Sequence, residues 1–562
     1  MNIIYNNLKK QKKYYYYLKI NKVVGIKKMT KKTAKCIMVQ GTSSNAGKSV
    51  LVAALSRIYS KRGFKVAPFK SQNMSLNSYT TKDKGEIAIA QMFQAEACGI
   101  EPSVDMNPIL LKPKGNFISQ VIIQGKAVGD MNFYDYQHKF RDEGLKKIKE
   151  SLDRLKEEYE IIFIEGAGSP AEINMRNEDM ANMEIAHLSD SDVLLIADID
   201  RGGVFASIAG TYSLLDETDR NRLKGVVINK FSGNLDILQP GIDKIEKIIK
   251  NPILGVLPYD KTLHLPEEDS ASLNEHNFQS DREIIIGVLR LPKIANFTDI
   301  DPFEFEEDVG LKIIELDYKI KGNLENIDAL IIPGTRSSSG DMVELKITGT
   351  DKIIKNISKK IPIVGICGGY QILGKKIVDE EKKESSYGTV DGIGLLDIET
   401  RFERSEKKLE QSKGIINKTE LFKNIENELV TGYEIHEAIS EIKNSKDTIP
   451  FIKIINEEKN NAKKDIEENN NKEKSELKNR EINEEYDGAI KNNVFGTYFH
   501  GIFHNYNLRR SFLNNIRKTK GLKEKFGEDP YEAKKSYSID KLAQIVEENL
   551  DMNFIDDLIF KD

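Results

Sequence analysis

Ile361-Pro362-Ile363-Val364-Gly365-Ile366-Cys367-Gly368-Gly369, followed by Tyr370-Gln371-Ile372-Leu373-Gly374-Lys375-Lys376-Ile377-Val378, is the stretch from which the fold of this chain reads most directly. An apolar β-rich run stops at Gly-X-Cys-Gly-Gly, and a helical pattern over 370–378 starts at once. Cys367 is therefore expected on a sharp strand-to-helix turn, a nucleophile elbow. Glycine suits such a turn because the backbone there enters conformations that a Cβ resists, and because a neighbouring side chain would cover the thiol. A sulfur at a helix N-terminus is also favoured as thiolate, the reactive form. A lone cysteine is otherwise ordinary apolar packing. The flanking glycines separate Cys367 from that reading.

Working outward, Ala329-Leu-Ile-Ile-Pro-Gly-Thr335 is a second buried strand, and its Gly334 and Thr335 amides could join that of Gly368 as an oxyanion hole. A reactive cysteine needs a base within hydrogen-bond reach. Among 7 histidines, His500 ends the strand Val494-Phe-Gly-Thr-Tyr-Phe-His500 and is the first candidate; His436 in Gly432-Tyr-Glu-Ile-His436 and His504 compete with it.

The N-terminal half carries a different signal. Lys35 to Gln40 reads as a buried strand, Gly41-Thr-Ser-Ser-Asn-Ala-Gly-Lys-Ser49 as a loop, and Val50 to Ser60 as an apolar helix closed by Gly63. This is a P-loop, with one residue more between its glycines than the common G-x4-GK[ST] form. Gly41, Thr42, Asn45, Gly47, Lys48 and Ser49 are the candidate ATP-binding residues, joined by Asn229 on the later strand Val226 to Lys230. Backbone N–H groups would cradle phosphates, Lys48 would reach the terminal ones, and the Ser49 hydroxyl would ligate Mg2+. Tyr159 to Gly168 is another buried strand, and it delivers Glu165 to a glycine turn where a metal–phosphate site needs a carboxylate.

Phe64 to Lys70 runs into the polar loop Ser71 to Ser78 at a strand C-terminus, where doubly wound sheets bind ligands; Gln72, Asn73, Ser75 and Asn77 are the candidate substrate-binding residues. Val193 to Asp198, with Asp198 and Asp200 ahead of Arg201-Gly-Gly203, and Ile253 to Pro258 continue the pattern. Apolar strands with polar tips, separated by helix-length segments, argue a parallel α/β sheet.

At 562 residues the chain exceeds one core. The expected organisation is a disordered extension at 1–33, a nucleotide-binding domain at 34–266, a polar linker at 267–282, a second α/β domain at 283–510 and a helical segment at 511–562. The Asn-, Lys- and Glu-rich stretch 440–485 is expected to be a disordered, solvated insertion. A net charge of -4 leaves no nucleic-acid footprint, and no apolar run approaches a membrane span. The 3 cysteines are far apart, without CxxC spacing, which argues against disulfide and zinc frameworks and for a cytoplasmic location.

Taken together, VQGTSSNAGKS (39–49), PFKSQNMSLNS (68–78), EGAGSPAEIN (165–174), DIDRGGVFAS (198–207), NFTDIDPF (296–303), GICGGYQILG (365–374), GYEIH (432–436) and GTYFHGIF (496–503) resemble one family, cobyric acid synthase. The resemblance runs from about Ile37 to Tyr506, insertion excluded. It implies a P-loop domain of dethiobiotin synthetase type followed by a flavodoxin-like class I glutamine amidotransferase domain. By the same resemblance Cys367 is the glutaminase nucleophile and His500 its base. The implied partners are glutamine, ATP with Mg2+, and the corrinoid adenosylcobyrinic acid a,c-diamide, amidated at its b, d, e and g carboxylates to adenosylcobyric acid. Ordinary class I domains carry a Glu two residues after the histidine, whereas this chain has Ile502. Slower or more tightly gated glutamine hydrolysis is expected on that ground, with the question open whether another carboxylate orients the ring. Two rivals stand beside this reading. One is the sibling that amidates the a and c positions of cobyrinic acid. The other is a partitioning-type ATPase switch, which generally carries Lys where this loop has Ser43. Assembly as a homo-oligomer is left open.

Overall fold

The computed structural model describes residues 34–115, 117–260, 262–263, 281–317, 320–403, 406–455 and 484–561. The expected extension 1–33, most of the expected linker 267–282 and the middle of the expected insertion 440–485 lie outside them.

The N-terminal domain is built on an all-parallel sheet in the order Ile253–Pro258, Leu223–Phe231, Asp192–Asp198, Lys35–Gly41, Ile161–Glu165, Val66–Phe69. The central strands are buried nearly end to end, which is why they read as unbroken apolar runs rather than alternating ones. Helix Lys48–Lys61 closes one face with Leu51, Val52, Ala54, Leu55 and Ile58, and Gly63 ends it by donating to the Ser60 carbonyl at 2.9 Å. A smaller sheet, Gln72–Met74, Ile109–Gly115, Ile118–Ile123 and Lys126–Asn132, carries the polar loop that follows Phe69 toward the second domain.

The C-terminal domain is built on a nine-stranded sheet, ordered Val309–Ile314, Ile284–Leu289, Ala329–Ile332, Ile363–Ile366, Val494–Thr497, Tyr486–Lys491, Ile449–Ile454, Lys408–Ile416, Leu429–His436. The first five strands are parallel and the remainder antiparallel. Phe422, Phe451, Phe495, Phe503 and Phe512 pack edge-to-face and tilted against one another in its core.

Three sequence expectations are corrected here. The helix after Cys367 covers only Gly368–Leu373; Gly374 ends it, and Lys376–Val378 is a strand of a separate four-stranded sheet. Residues 440–455 are not part of a disordered insertion. Ile439–Ile442 pairs with Ile398–Arg401, and Ile449–Ile454 sits inside the large sheet with Phe451 and Ile452 buried. Pairing on both sides satisfies its backbone, which composition alone does not reveal. Finally, the boundary at 510/511 falls inside helix Tyr506–Thr519, whose Leu508, Phe512, Leu513 and Ile516 belong to the second core.

Beyond that helix the chain returns to the first domain. Leu542, Ala543, Val546, Ile555 and Ile559 join the cluster around Leu51 and Ile58, and Leu550 bridges to Gly255. Ion pairs Arg57–Asp540 (2.8 Å) and Lys535–Glu96 (2.7 Å) flank the contact. The two domains are thus strapped together by the last helices as well as facing each other directly.

Candidate active site

Strand Ile363–Ile366 hands Cys367 into the turn with φ 51° and ψ -109°, a conformation a non-glycine residue holds only under constraint. The constraint is local. The Cys367 amide donates to the Thr497 carbonyl at 2.8 Å, and its carbonyl accepts from the Gln371 amide at 3.1 Å. A Cβ on Gly368 would stand 2.5 Å from the Thr335 methyl and 3.0 Å from the Thr335 nitrogen, so only glycine lets the two loops meet there. Gly334 also faces the site, its hypothetical Cβ 3.2 Å from His500 Cε1. The three expected oxyanion residues, Gly334, Thr335 and Gly368, therefore gather beside Cys367.

His500 is almost fully buried at 2% exposure and stands with Cys367 in the wall of one pocket, where the Cys367 sulfur lies 3.8 Å from the Ile435 carbonyl. Its Nδ1 donates to Asp299 Oδ2 at 2.8 Å, and the Asp299 Oδ1 accepts from the Gly501 amide at 2.6 Å. Burial alone would lower the His500 pKa; the facing Asp299 carboxylate and Cys367 outweigh it and push the value up to about 10. This answers the question that Ile502 left open in the sequence. The orienting carboxylate is Asp299, and Ile502 is core, with 0% exposure.

The rival histidines are placed differently. His436 is bonded through Nδ1 to the Ala438 carbonyl (2.7 Å) and through Nε2 to Glu434 (3.0 Å), and its ring stacks on Tyr498 at 3.8 Å. Burial holds it below the ordinary imidazole range. His504 is pushed down to about 4 by burial, with the Lys535 charge adding to it, and its ring lies 5.0 Å from that of Tyr531.

In the other domain, Gly47 has φ 108°, and a Cβ there would lie 2.1 Å from Asn229 Nδ2, which donates to the Ala46 carbonyl at 2.9 Å. Asn45, at φ 60°, shares the tight loop. Thr42 donates its amide to the Ile196 carbonyl at 3.0 Å, pinning the loop after Gly41 to the strand beside it. Lys48 Nζ donates across the loop to the carbonyls of Ser43 (3.0 Å) and Gly168 (3.1 Å). Ser49 Oγ donates to Glu165 Oε1 at 2.8 Å, so the two candidate magnesium residues touch. Sequence reasoning missed what holds Glu165: Lys70 at 2.9 Å and Gln94 at 2.6 Å, both buried. Lys70 was visible as the charged end of an apolar strand.

The four candidate substrate residues part company. Gln72, half-buried, accepts from the Tyr136 hydroxyl at 2.6 Å. Asn73 is buried against Gln91 at 2.9 Å. Ser75 accepts from the Asn77 amide at 3.0 Å, and Asn77 Oδ1 accepts from the Asn296 amide at 2.7 Å. Asn296 Oδ1 in turn accepts from the Ser78 amide at 2.8 Å. Asn77 thus joins the domains three residues from Asp299. The pocket beside Cys367 and His500 lies on this joint, with Leu76 and Lys112 of the first domain in its wall.

Among the described residues no helix is long and apolar enough to cross a membrane. A model of the CobQ/CobB/MinD/ParA nucleotide binding domain matches residues 37–273, and one of the CobB/CobQ-like glutamine amidotransferase domain matches residues 285–508. A probable cobyric acid synthase of Methanothermobacter thermautotrophicus is 54% identical over 528 residues, covering 94% of this chain and 99% of that relative. One of Methanosphaera stadtmanae is 53% identical, covering 93% and 99%. A cobyric acid synthase of Clostridium botulinum is 45% identical, with the same coverage of 93% and 99%. With both domains matched and relatives spanned almost end to end, the chain belongs to the cobyric acid synthase family, the glutamine amidotransferases of cobalamin biosynthesis.

Proposed function

We propose that the chain uses ATP and glutamine to amidate the b, d, e and g carboxylates of adenosylcobyrinic acid a,c-diamide, giving adenosylcobyric acid. The observation that carries this reading is the shared pocket of Cys367 and His500, the histidine itself oriented by Asp299, in a domain joined face to face with a P-loop domain.

In the glutaminase half, the Cys367 thiol gives its proton to His500 as the sulfur attacks the carboxamide carbon, and the carbonyl electron pair moves to oxygen, within reach of the Gly334 and Gly368 amides. The C–N bond then breaks as His500 supplies a proton to the leaving nitrogen, releasing ammonia and leaving a glutamyl thioester on Cys367. Water adds to the thioester, its proton taken by His500. The C–S bond breaks, glutamate leaves and the thiol is restored. Asp299 holds the ring so that the nitrogen opposite Nδ1 faces the sulfur throughout.

In the synthetase half, the tight loop around Gly47, the cation of Lys48 and the paired oxygens of Ser49 and Glu165 fit a nucleotide triphosphate with a hard divalent cation. Bound there, Mg-ATP supplies the phosphoryl group that activates a carboxylate for displacement by ammonia. Lys48 balances phosphate charge, Lys70 and Gln94 fix Glu165, and Gln72 is the residue of the four best placed to meet the corrinoid. A cytoplasmic location goes with this reading, since ATP and glutamine are supplied there. The partitioning-type switch leaves the elbow cysteine without a use. Purified protein assayed with cobyrinic acid and with its a,c-diamide, counting amides by mass, tests the proposal: four additions to the a,c-diamide are expected, and addition only to the a and c positions of cobyrinic acid would assign the sibling reaction.

A further inference from the structure

Glu86 is a carboxylate of the first domain with 1% of its side chain exposed. It is bonded by two lysines from opposite sides of the domain boundary. Lys112 Nζ of its own domain lies 2.6 Å from Oε1, and Lys407 Nζ of the glutamine amidotransferase domain lies 2.8 Å from Oε2. Ser78 Oγ also donates to Oε1 at 2.8 Å and accepts from Lys112 at 2.7 Å. Gln120 Oε1 accepts from both Lys407 and Arg336 at 3.2 Å, adding a second crossing. Both lysines and Arg336 stand in the wall of the pocket that holds Cys367 and His500.

Resting on the function proposed above, we propose that Lys407, Glu86 and Lys112 form a seal that closes the glutaminase pocket onto the first domain and keeps newly released ammonia from escaping to solvent. They are positioning residues; none touches the reacting atoms. The physical case has two parts. First, a buried ion pair is costly to break because each partner is left as an unpaired buried charge, so Glu86 binds domain closure to the presence of Lys407. Second, Lys112, Lys407 and Arg336 present positive charge to the pocket, and positive charge disfavours protonation of a neighbouring amine. Burial with these same neighbours brings Lys112 itself down to about 8, against the pull of Glu86. Glu384 and Glu437 stand in the same wall and oppose this bias, so the closure itself carries the proposal.

The test measures glutamate formed, corrinoid amide formed and free ammonia together, in full-length protein. Lys407→Met is expected to raise glutamate per amide several-fold, with the difference recovered as ammonia in the medium. Amidation driven by ammonium chloride should stay at the parent's level, and Lys407→Arg should restore much of the coupling. Glu86→Gln, which keeps size and hydrogen bonding, serves as the second variant and should leak likewise. An unchanged glutamate-to-amide ratio in either folded variant overturns the seal. Equal loss with glutamine and with ammonium chloride also overturns it, since that pattern marks a general structural defect. Failure of the underlying reading looks different: a parent protein that makes no amide from glutamine removes both.

Discussion

Asp299 and His500 lie 201 residues apart in the chain, yet their side chains meet at 2.8 Å in a fully enclosed pair. The carboxylate sits in the 3₁₀ turn Phe297–Ile300, ahead of the short helix Asp301–Glu304, and it reaches the histidine because Asn296 at the start of that turn is clasped by Asn77 and Ser78 of the other domain. Orientation of the glutaminase base and docking of the synthetase domain therefore share one loop, 296–299. That arrangement makes the domain joint a direct influence on glutamine chemistry.

Asp299→Asn should reduce glutamine hydrolysis by about 10²–10⁴-fold, because an amide facing Nδ1 stabilises the wrong tautomer. The pH dependence has a definite sign. In the parent, His500 is raised to about 10, so its charged form and the stability it confers are fully present below the ordinary imidazole pKa and fade as pH rises through about 10. Without the carboxylate that limit moves down. The alkaline limb of the glutaminase profile should shift to lower pH, and the melting-temperature gap between parent and variant should narrow as pH is raised from 7 to 10. A gap that widens would remove Asp299 as the source of the raised value.

Cys367→Ala and Lys48→Ala should fail in opposite ways. The first is expected to abolish glutamine-dependent amidation and leave the ammonium chloride reaction intact, since the synthetase site does not use the thiol. The second should lose amidation with either nitrogen source while glutaminase activity persists. Corrinoid amidation measured with each source decides both, and normal ammonia-driven turnover in Lys48→Ala would sink the P-loop assignment.

Glu165 pairs with buried Lys70 at 2.9 Å, with side-chain exposures of 1% and 6%. Glu165→Gln should cost amidation and also lower the stability of the domain, since it removes a charged partner from a buried cation. Adding Lys70→Met should recover most of the stability and none of the activity. Melting temperatures of the two variants, set against ammonia-driven turnover, separate the metal-site role from the packing role.

What the sequence revealed and what it hid divide along a physical line. The elbow at Cys367 and the loop at Gly47–Lys48–Ser49 are contiguous, and their backbone geometry demands glycine at fixed spacing, so they were legible without a fold. Asp299 was not singled out, although it stood in the quoted stretch 296–303, because its partner is chosen by folding across 201 residues. The segment 511–562 was expected only to be helical, and a helical pattern does not name the surface it covers; here Val546 and Ile559 of helices Pro530–Asn549 and Met552–Phe560 cover the first domain, not the second. Residues 449–454 were misread because a stretch rich in charge hid one short strand whose worth lies in pairing on both sides.

Ile502 occupies the place where an ordinary class I domain carries its triad carboxylate, and replacing it with Glu tests whether that place is still usable. The structure argues that it is not. Ile502 is fully buried among the aromatic residues of the second core, and Nδ1 of His500 is already taken by Asp299. A carboxylate introduced there has either to stay protonated or to accept several kcal/mol of desolvation without a partner. Ile502→Glu should therefore melt well below the parent, most of all near neutral pH and less so in acid, where the new group is protonated. Its glutaminase rate per folded molecule, measured without ATP or corrinoid, should not exceed the parent's. The double variant with Asp299→Asn sharpens the test: it should be as slow as Asp299→Asn alone. Recovery of glutamine hydrolysis in that double variant would mean that the histidine can be oriented from either side, and that the loop 296–299 is one solution to the problem and not the only one this core permits.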